Sequence, residues 1–141
     1  MFTKALLAST FAAMVSSAPA ADQVLYLPGM GDFNTYGVYS GYLNIPSSNK
    51  MLHYMFAQSQ NQPTTDPLVI WFNGGPGCSS LLGYLQEHGP WVIEDGQSEF
   101  HANYWSWNTA ANMLYIESPA GVGFSYCSSL AECSFDDDTS A

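Results

Sequence analysis

Tyr36 to Ile45 alternates between apolar and polar positions and is rich in aromatic residues, which predicts a strand. Pro46-Ser47-Ser48-Asn49 supplies turn chemistry, and Met51 to Gln58 predicts a second strand, so the two form an antiparallel hairpin. Upstream, Val24 to Asn34 is turn-rich, with Pro28-Gly29 and Gly31-Asp32. Ser59 to Asp66 is a polar loop containing Pro63. Leu68 to Phe72 is an unbroken apolar run between turn signals, the pattern of a central strand buried on both faces. Ser79 or Ser80 is placed to cap a helix reaching Gln86, which His88-Gly89-Pro90 ends. Val92 to His101 is polar, with a turn at Asp95-Gly96. Asn112 to Glu117 predicts another apolar strand, and Pro119 to Gly123 a tight turn. Hairpin, strand, helix, strand is the opening of an α/β fold, whose sheet takes further strands beside the central one.

Composition narrows the function classes. Hydrophobic residues are 47% and aromatic residues 15% of the 141, which suits a packed core. Lys4 and Lys50 stand against twelve acids, for a net charge of −10. That balance excludes nucleic acid, whose phosphates need a basic face, and an anionic membrane surface. The first twenty residues read as a secretory signal peptide. Lys4 gives the positive n-region, Ala5 to Val15 the apolar stretch, and Ala18-Pro19-Ala20 the cleavage pattern. The expected organisation is therefore a leader over 1–20 and one domain portion over 21–141. Export permits disulfides. Cys127 and Cys133 are close enough to close a local loop, and Cys78 is left over as a free thiol or a cysteine whose partner is missing. Asp136 to Asp138 lack the spacing of a calcium loop and read as a solvated approach to a helix.

The chemistry concentrates in Trp71-Phe72-Asn73-Gly74-Gly75-Pro76-Gly77-Cys78-Ser79-Ser80. A glycine-rich turn between a buried strand and a helix presents backbone N–H groups to a cleft, as an oxyanion hole requires. The whole block closely resembles the serine carboxypeptidases, secreted and lysosomal or vacuolar α/β-hydrolases. Further blocks resemble the family in its own order: Tyr39-Ser40-Gly41-Tyr42-Leu43, Glu87-His88-Gly89-Pro90, Tyr104-Trp105-Ser106-Trp107-Asn108, and the run from Asn112 through Glu117-Ser118-Pro119-Ala120-Gly121 to Tyr126. The third departs from the family pattern in having Ala102-Asn103 before it, where asparagine and proline are usual.

The resemblance implies a role for each matching residue. Gly75 would donate one oxyanion N–H, with Gly74 beside it in the turn. Asn73 would hydrogen-bond the substrate's terminal carboxylate, supported by Trp71. Glu87 would sit near that carboxylate and share a proton with a second glutamate that these residues lack. Cys78 would pair with a cysteine further along. The family's catalytic order is Ser, Asp, His, with the serine in a G-E-S-Y-A-G elbow; no such elbow occurs in these 141 residues. The expectation is the front of an α/β-hydrolase sheet, cut before the nucleophile strand and inactive alone.

Gly123-Phe124-Ser125-Tyr126-Cys127 imitates a G-x-S-x-G elbow but ends in cysteine, so Ser125 is not read as a nucleophile. His53, alternating within a strand, reads as structural; His88 sits at a helix end; His101 lies in a polar loop. Tyr104, Trp105 and Trp107 read as core packing. The resulting function is serine-type carboxypeptidase, acting on peptide or protein C-termini in the secretory pathway, lysosome, vacuole or outside the cell, with no cofactor, no metal and no membrane partner after leader removal. Lone strand edges aggregate, so independent folding is not expected. Two other readings fit the same residues: a secreted non-catalytic binder of peptide C-termini, and a carboxypeptidase-like acyltransferase.

Overall fold

The strands in chain order are β1 (Gln23–Val24), β2 (Tyr26–Leu27), β3 (Gly31–Asp32), β4 (Val38–Asn44), β5 (Lys50–Ala57), β6 (Leu68–Trp71), β7 (Trp91–Val92), β8 (His101–Ala102), β9 (Asn112–Ile116) and β10 (Tyr126–Cys127). The structure, a computed structural model, describes residues 18–33, 35–46, 48–129 and 133. The body of the expected leader and Asp136 to Asp138 lie outside the described residues.

The main sheet runs β1-β4-β5-β9-β6. β4 and β5 form the expected antiparallel hairpin, from Val38↔Ala57 to Asn44↔Met51. On its other edge β5 pairs first with β9 and then with β10. β10 continues the line of β9 after residues 117–125 loop out of the sheet. His53 faces that gap, so its backbone finds substitutes for the missing ladder partner. Its carbonyl accepts from Glu117 N at 3.0 Å, and its N–H donates to Ser125 Oγ at 2.8 Å. Ser125 is buried and its hydroxyl donates to Glu117 O at 2.6 Å. The serine is thus fully used as a backbone substitute.

Side chains alternate across the sheet. Val38, Met55, Ala57, Met113 and Tyr115 face the larger core, with Tyr84 and partly buried Val69 and Trp71 packed on it. Tyr54, Phe56 and Ile116 gather on the opposite face with Leu114 and Tyr39. β6 departs from expectation. It lies parallel to β9, its only pairing partner among the described residues, and Leu68, Ile70 and Phe72 are exposed. Only the face carrying Val69 and Trp71 is covered, so the strand is not buried on both sides.

Two further differences concern short elements. The helix after Ser80 is a brief turn whose Gly83–Glu87 portion is π-wound, closing with His88 N to Gly83 O at 3.0 Å. The stretch from Val92 to His101, read as polar with a turn, lies within the small β7–β8 hairpin; two-residue strands are too short to show alternation. Tyr104 and Trp105 are 86% and 90% exposed, which overturns their reading as core, and Trp107, although stacked on His88, is 47% exposed. The reason is a tight turn built on Asn103, whose side chain donates to Gly89 O at 2.9 Å and accepts from Trp105 N at 3.0 Å, leaving both aromatic rings outward. Among the described residues no helix is long and apolar enough to cross a membrane.

Candidate active site at the carboxyl ends of β6 and β9

β6 and β9 end side by side, with Trp71↔Tyr115 as their last pair. A glycine-rich turn follows each: 72–80 after β6 and 117–125 after β9. Carboxyl ends of adjacent parallel strands are where α/β sheets open a crevice.

In the first turn, residues 74–78 are exposed. Cys78 N donates to Gly74 O at 3.2 Å, Gly75 has φ +133°, and the Gly75–Pro76 bond is cis. The space beside Gly74 and Gly77 is open to 4 Å. Both ends of the turn are fastened to one another and to β9. Asn73 N donates to Ser80 Oγ at 3.1 Å, and Ser80 Oγ donates to Ile116 O at 2.6 Å. Ser79 Oγ donates to the Glu117 carboxylate and accepts from Leu81 N at 3.2 Å.

The Asn73 amide is oriented by chemistry. Trp71 Nε1 lies 2.8 Å from Oδ1 and Gly83 N lies 3.2 Å from it. Both neighbours can only donate, so the atom between them is the oxygen and Nδ2 is left to donate elsewhere. Trp71 is held in turn by His88, whose ring meets it edge-on at 4.3 Å and stacks on Trp107 at 4.3 Å. His88 Nδ1 pairs with Tyr115 Oη at 3.1 Å. Burial in this aromatic nest pushes His88 below its usual range, partly opposed by the charge of Glu87. Burial, with Glu87 adding to it, pushes the Tyr115 hydroxyl up. The structure therefore brings Trp71, Asn73, Gly74 and Gly75 together. Glu87 is exposed at the end of the helical turn, beside His88 in sequence.

The second turn contains a network that sequence reasoning missed. Ser40 Oγ and His53 Nε2 are 2.9 Å apart, and His53 Nδ1 and Glu117 Oε2 are 2.9 Å apart. Glu117 is fully buried. Its partners come from three separated stretches of chain, so no local spacing could reveal them. A cavity of about 740 Å³ lies along Ser40, His53, Met55, Leu81 and Tyr84, without Asn73 or any of the three glycines of the turn. Cys78 is a free, exposed thiol, and Cys127 and Cys133 form a disulfide. Among the described residues no group of three or more His, Cys, Asp or Glu is placed to share a metal ion.

Residues 28–141 match the serine carboxypeptidase family, Peptidase_S10. The chain is 50% identical over 121 residues to the lysosomal protective protein of Mus musculus, covering 86% of this chain and 25% of that protein. It is 46% identical over 124 residues to serine carboxypeptidase ctsa-4.1 of Caenorhabditis elegans, covering 88% and 26%. A crystal structure of a prohormone-processing carboxypeptidase from Saccharomyces cerevisiae resembles it with a TM-score of 0.57 at 29% identity, over 75% of this chain and 24% of that one. The chain thus spans about a quarter of the length of these relatives.

Proposed function

The chain belongs to the serine carboxypeptidase family, and from that premise we propose that its β6 turn is the oxyanion and carboxylate-binding part of a site that removes C-terminal residues from peptides. The observation that carries the reading is the fixed Asn73 amide. Trp71 Nε1 and Gly83 N occupy its oxygen, so its NH2 group is presented as a donor. A peptide's terminal carboxylate is an acceptor-only group that such a donor suits.

In this reading the Gly75 N–H, in a turn with open space at Gly74, stabilises the oxyanion of the tetrahedral intermediate. Glu87 completes the clamp on the terminal carboxylate. The reaction also needs a nucleophilic serine activated by histidine and aspartate, and the 141 residues carry no serine elbow of the family's pattern. The 141 residues alone hydrolyse nothing. Cys78, a free and exposed thiol, is available to a cysteine outside these residues, as the family resemblance implies. The protein travels the secretory route, which the leader-like pattern of residues 1–20 and the lysosomal name of the mouse relative support.

The test is steady-state hydrolysis by a polypeptide that includes the nucleophile. Asn73→Ala should raise KM about tenfold to a hundredfold on peptides with a free carboxylate, the range for losing a hydrogen bond to a charged group. It should leave the matching C-terminal amides little changed. Equal loss on both substrate types would overturn the assignment.

A further inference from the structure

We propose that Glu117 is a positioning residue that holds the β6 turn in its oxyanion-binding shape. The functional consequence rests on the carboxypeptidase reading above; the geometry does not.

Three donors from three parts of the chain converge on this one buried carboxylate. His53 Nδ1 arrives from β5 at 2.9 Å, Phe124 N from the second turn at 2.8 Å, and Ser79 Oγ from the first turn. A carboxylate offers about four acceptor sites, enough for all three donors. The arrangement is also closely fitted. A β-carbon on Gly123 would fall 1.8 Å from Glu117 Oε1, so the second turn wraps the carboxylate without room to spare.

The contact with Ser79 sets the consequence. Ser79 and Ser80 close the turn that begins at Asn73, and both are bound to the end of β9: Ser79 to the Glu117 side chain, Ser80 to Ile116 O. Ser80 also holds Asn73 N. With Glu117 removed, Ser80 is the turn's one remaining fastening to β9 among the described residues. Ser79 then has no fixed acceptor, and the segment between, with Gly74 and Gly75, gains freedom. Oxyanion donors act because they are fixed before charge develops, so a loosened turn costs rate more than binding.

Ester hydrolysis and amide hydrogen exchange, measured on the polypeptide that carries both this chain and the nucleophile, separate the possibilities. Glu117→Ala should lower kcat about tenfold to a hundredfold, in line with misplacing a reacting group by an ångström, with KM within about twofold. Peptides spanning 73–82 should exchange faster, while those spanning 38–57 keep their protection. Glu117→Gln should recover most of the rate, because its oxygen can serve His53 and Phe124 while its NH2 donates to Ser79. Should Glu117→Ala not fold, Ser79→Ala removes only the arm to the turn and should give the same loss of kcat, which Ser79→Thr restores. Unchanged kcat in folded Glu117→Ala or in Ser79→Ala would overturn the proposal, and so would exchange that rises equally across the sheet. If the unaltered polypeptide hydrolyses neither esters nor peptides, the carboxypeptidase reading falls, while exchange at 73–82 still decides whether Glu117 holds the turn.

Discussion

Gly123 has φ +54°, and its missing side chain leaves the space that the Glu117 carboxylate fills. An alanine there would meet left-handed strain and a collision with a buried charge together. Strain of that kind costs about 1–2 kcal/mol and overpacking about 1–3. Gly123→Ala should therefore destabilise the protein by about 2–5 kcal/mol in urea unfolding. Gly74→Ala, where a β-carbon meets nothing within 4 Å, is the control and should cost much less. Equal costs would show that the second turn can shift away from Glu117. Residues of this kind are where sequence reading was weakest. Asn73 and the two glycines beside it stood out because they are contiguous and chemically unusual. Glu117 did not, because its partners lie 64, 38 and 7 positions away. His53 was legible only as structural, and Ser125 only as an imperfect elbow; the gap in the sheet that employs both is a tertiary feature.

Among the elements, β4 and β5 were legible because two runs of seven and eight residues rich in aromatic and apolar side chains flank a Pro-Ser-Ser-Asn turn. β9 was legible as an apolar run. β7, β8 and β10 were not, since two residues carry no period and pairing alone creates them. β6 was legible as a strand but not in its surroundings, for an apolar run fits a covered face whether or not the described residues cover it. Its outer edge, unpaired among those residues, and the exposed Leu68, Ile70 and Phe72 form a template for another strand. The 141-residue chain prepared alone should associate as its concentration rises through the micromolar range, read by light scattering. Ile70→Lys, which places a charge on the uncovered face without touching Val69 or Trp71, should suppress that association. A monomeric wild-type chain at the same concentrations would mean that the edge is protected in some other way.

For the molecule as a whole, the relevant group is one buried histidine that joins the sheet to its flanking turns. His88 ties β6, the helical turn and β9 into one unit through Trp71, Trp107 and Tyr115. Its burial lowers its pKa from the ordinary 6.5, so between the two values the unfolded chain binds a proton that the folded chain refuses. Stability from this source is complete above about pH 6.5 and falls as pH drops toward the lowered folded value. Below that value both states are protonated and the decline stops. Asp66 acts lower down. Bonds from Ser59 Oγ and Gln62 N hold its carboxyl below the usual 3.8, so its contribution is present above that pH and is lost as pH falls through the depressed value. The His88 window opens below about pH 6.5 and the Asp66 window below about 3.8, so their onsets are separable. Urea midpoints measured from pH 7 to 3 should fall in two stages. His88→Phe, which keeps the aromatic stack, should flatten the upper stage relative to wild type, and Asp66→Asn the lower. An upper stage that survives His88→Phe unchanged would show that the aromatic nest is not what makes this fold sensitive to mild acid.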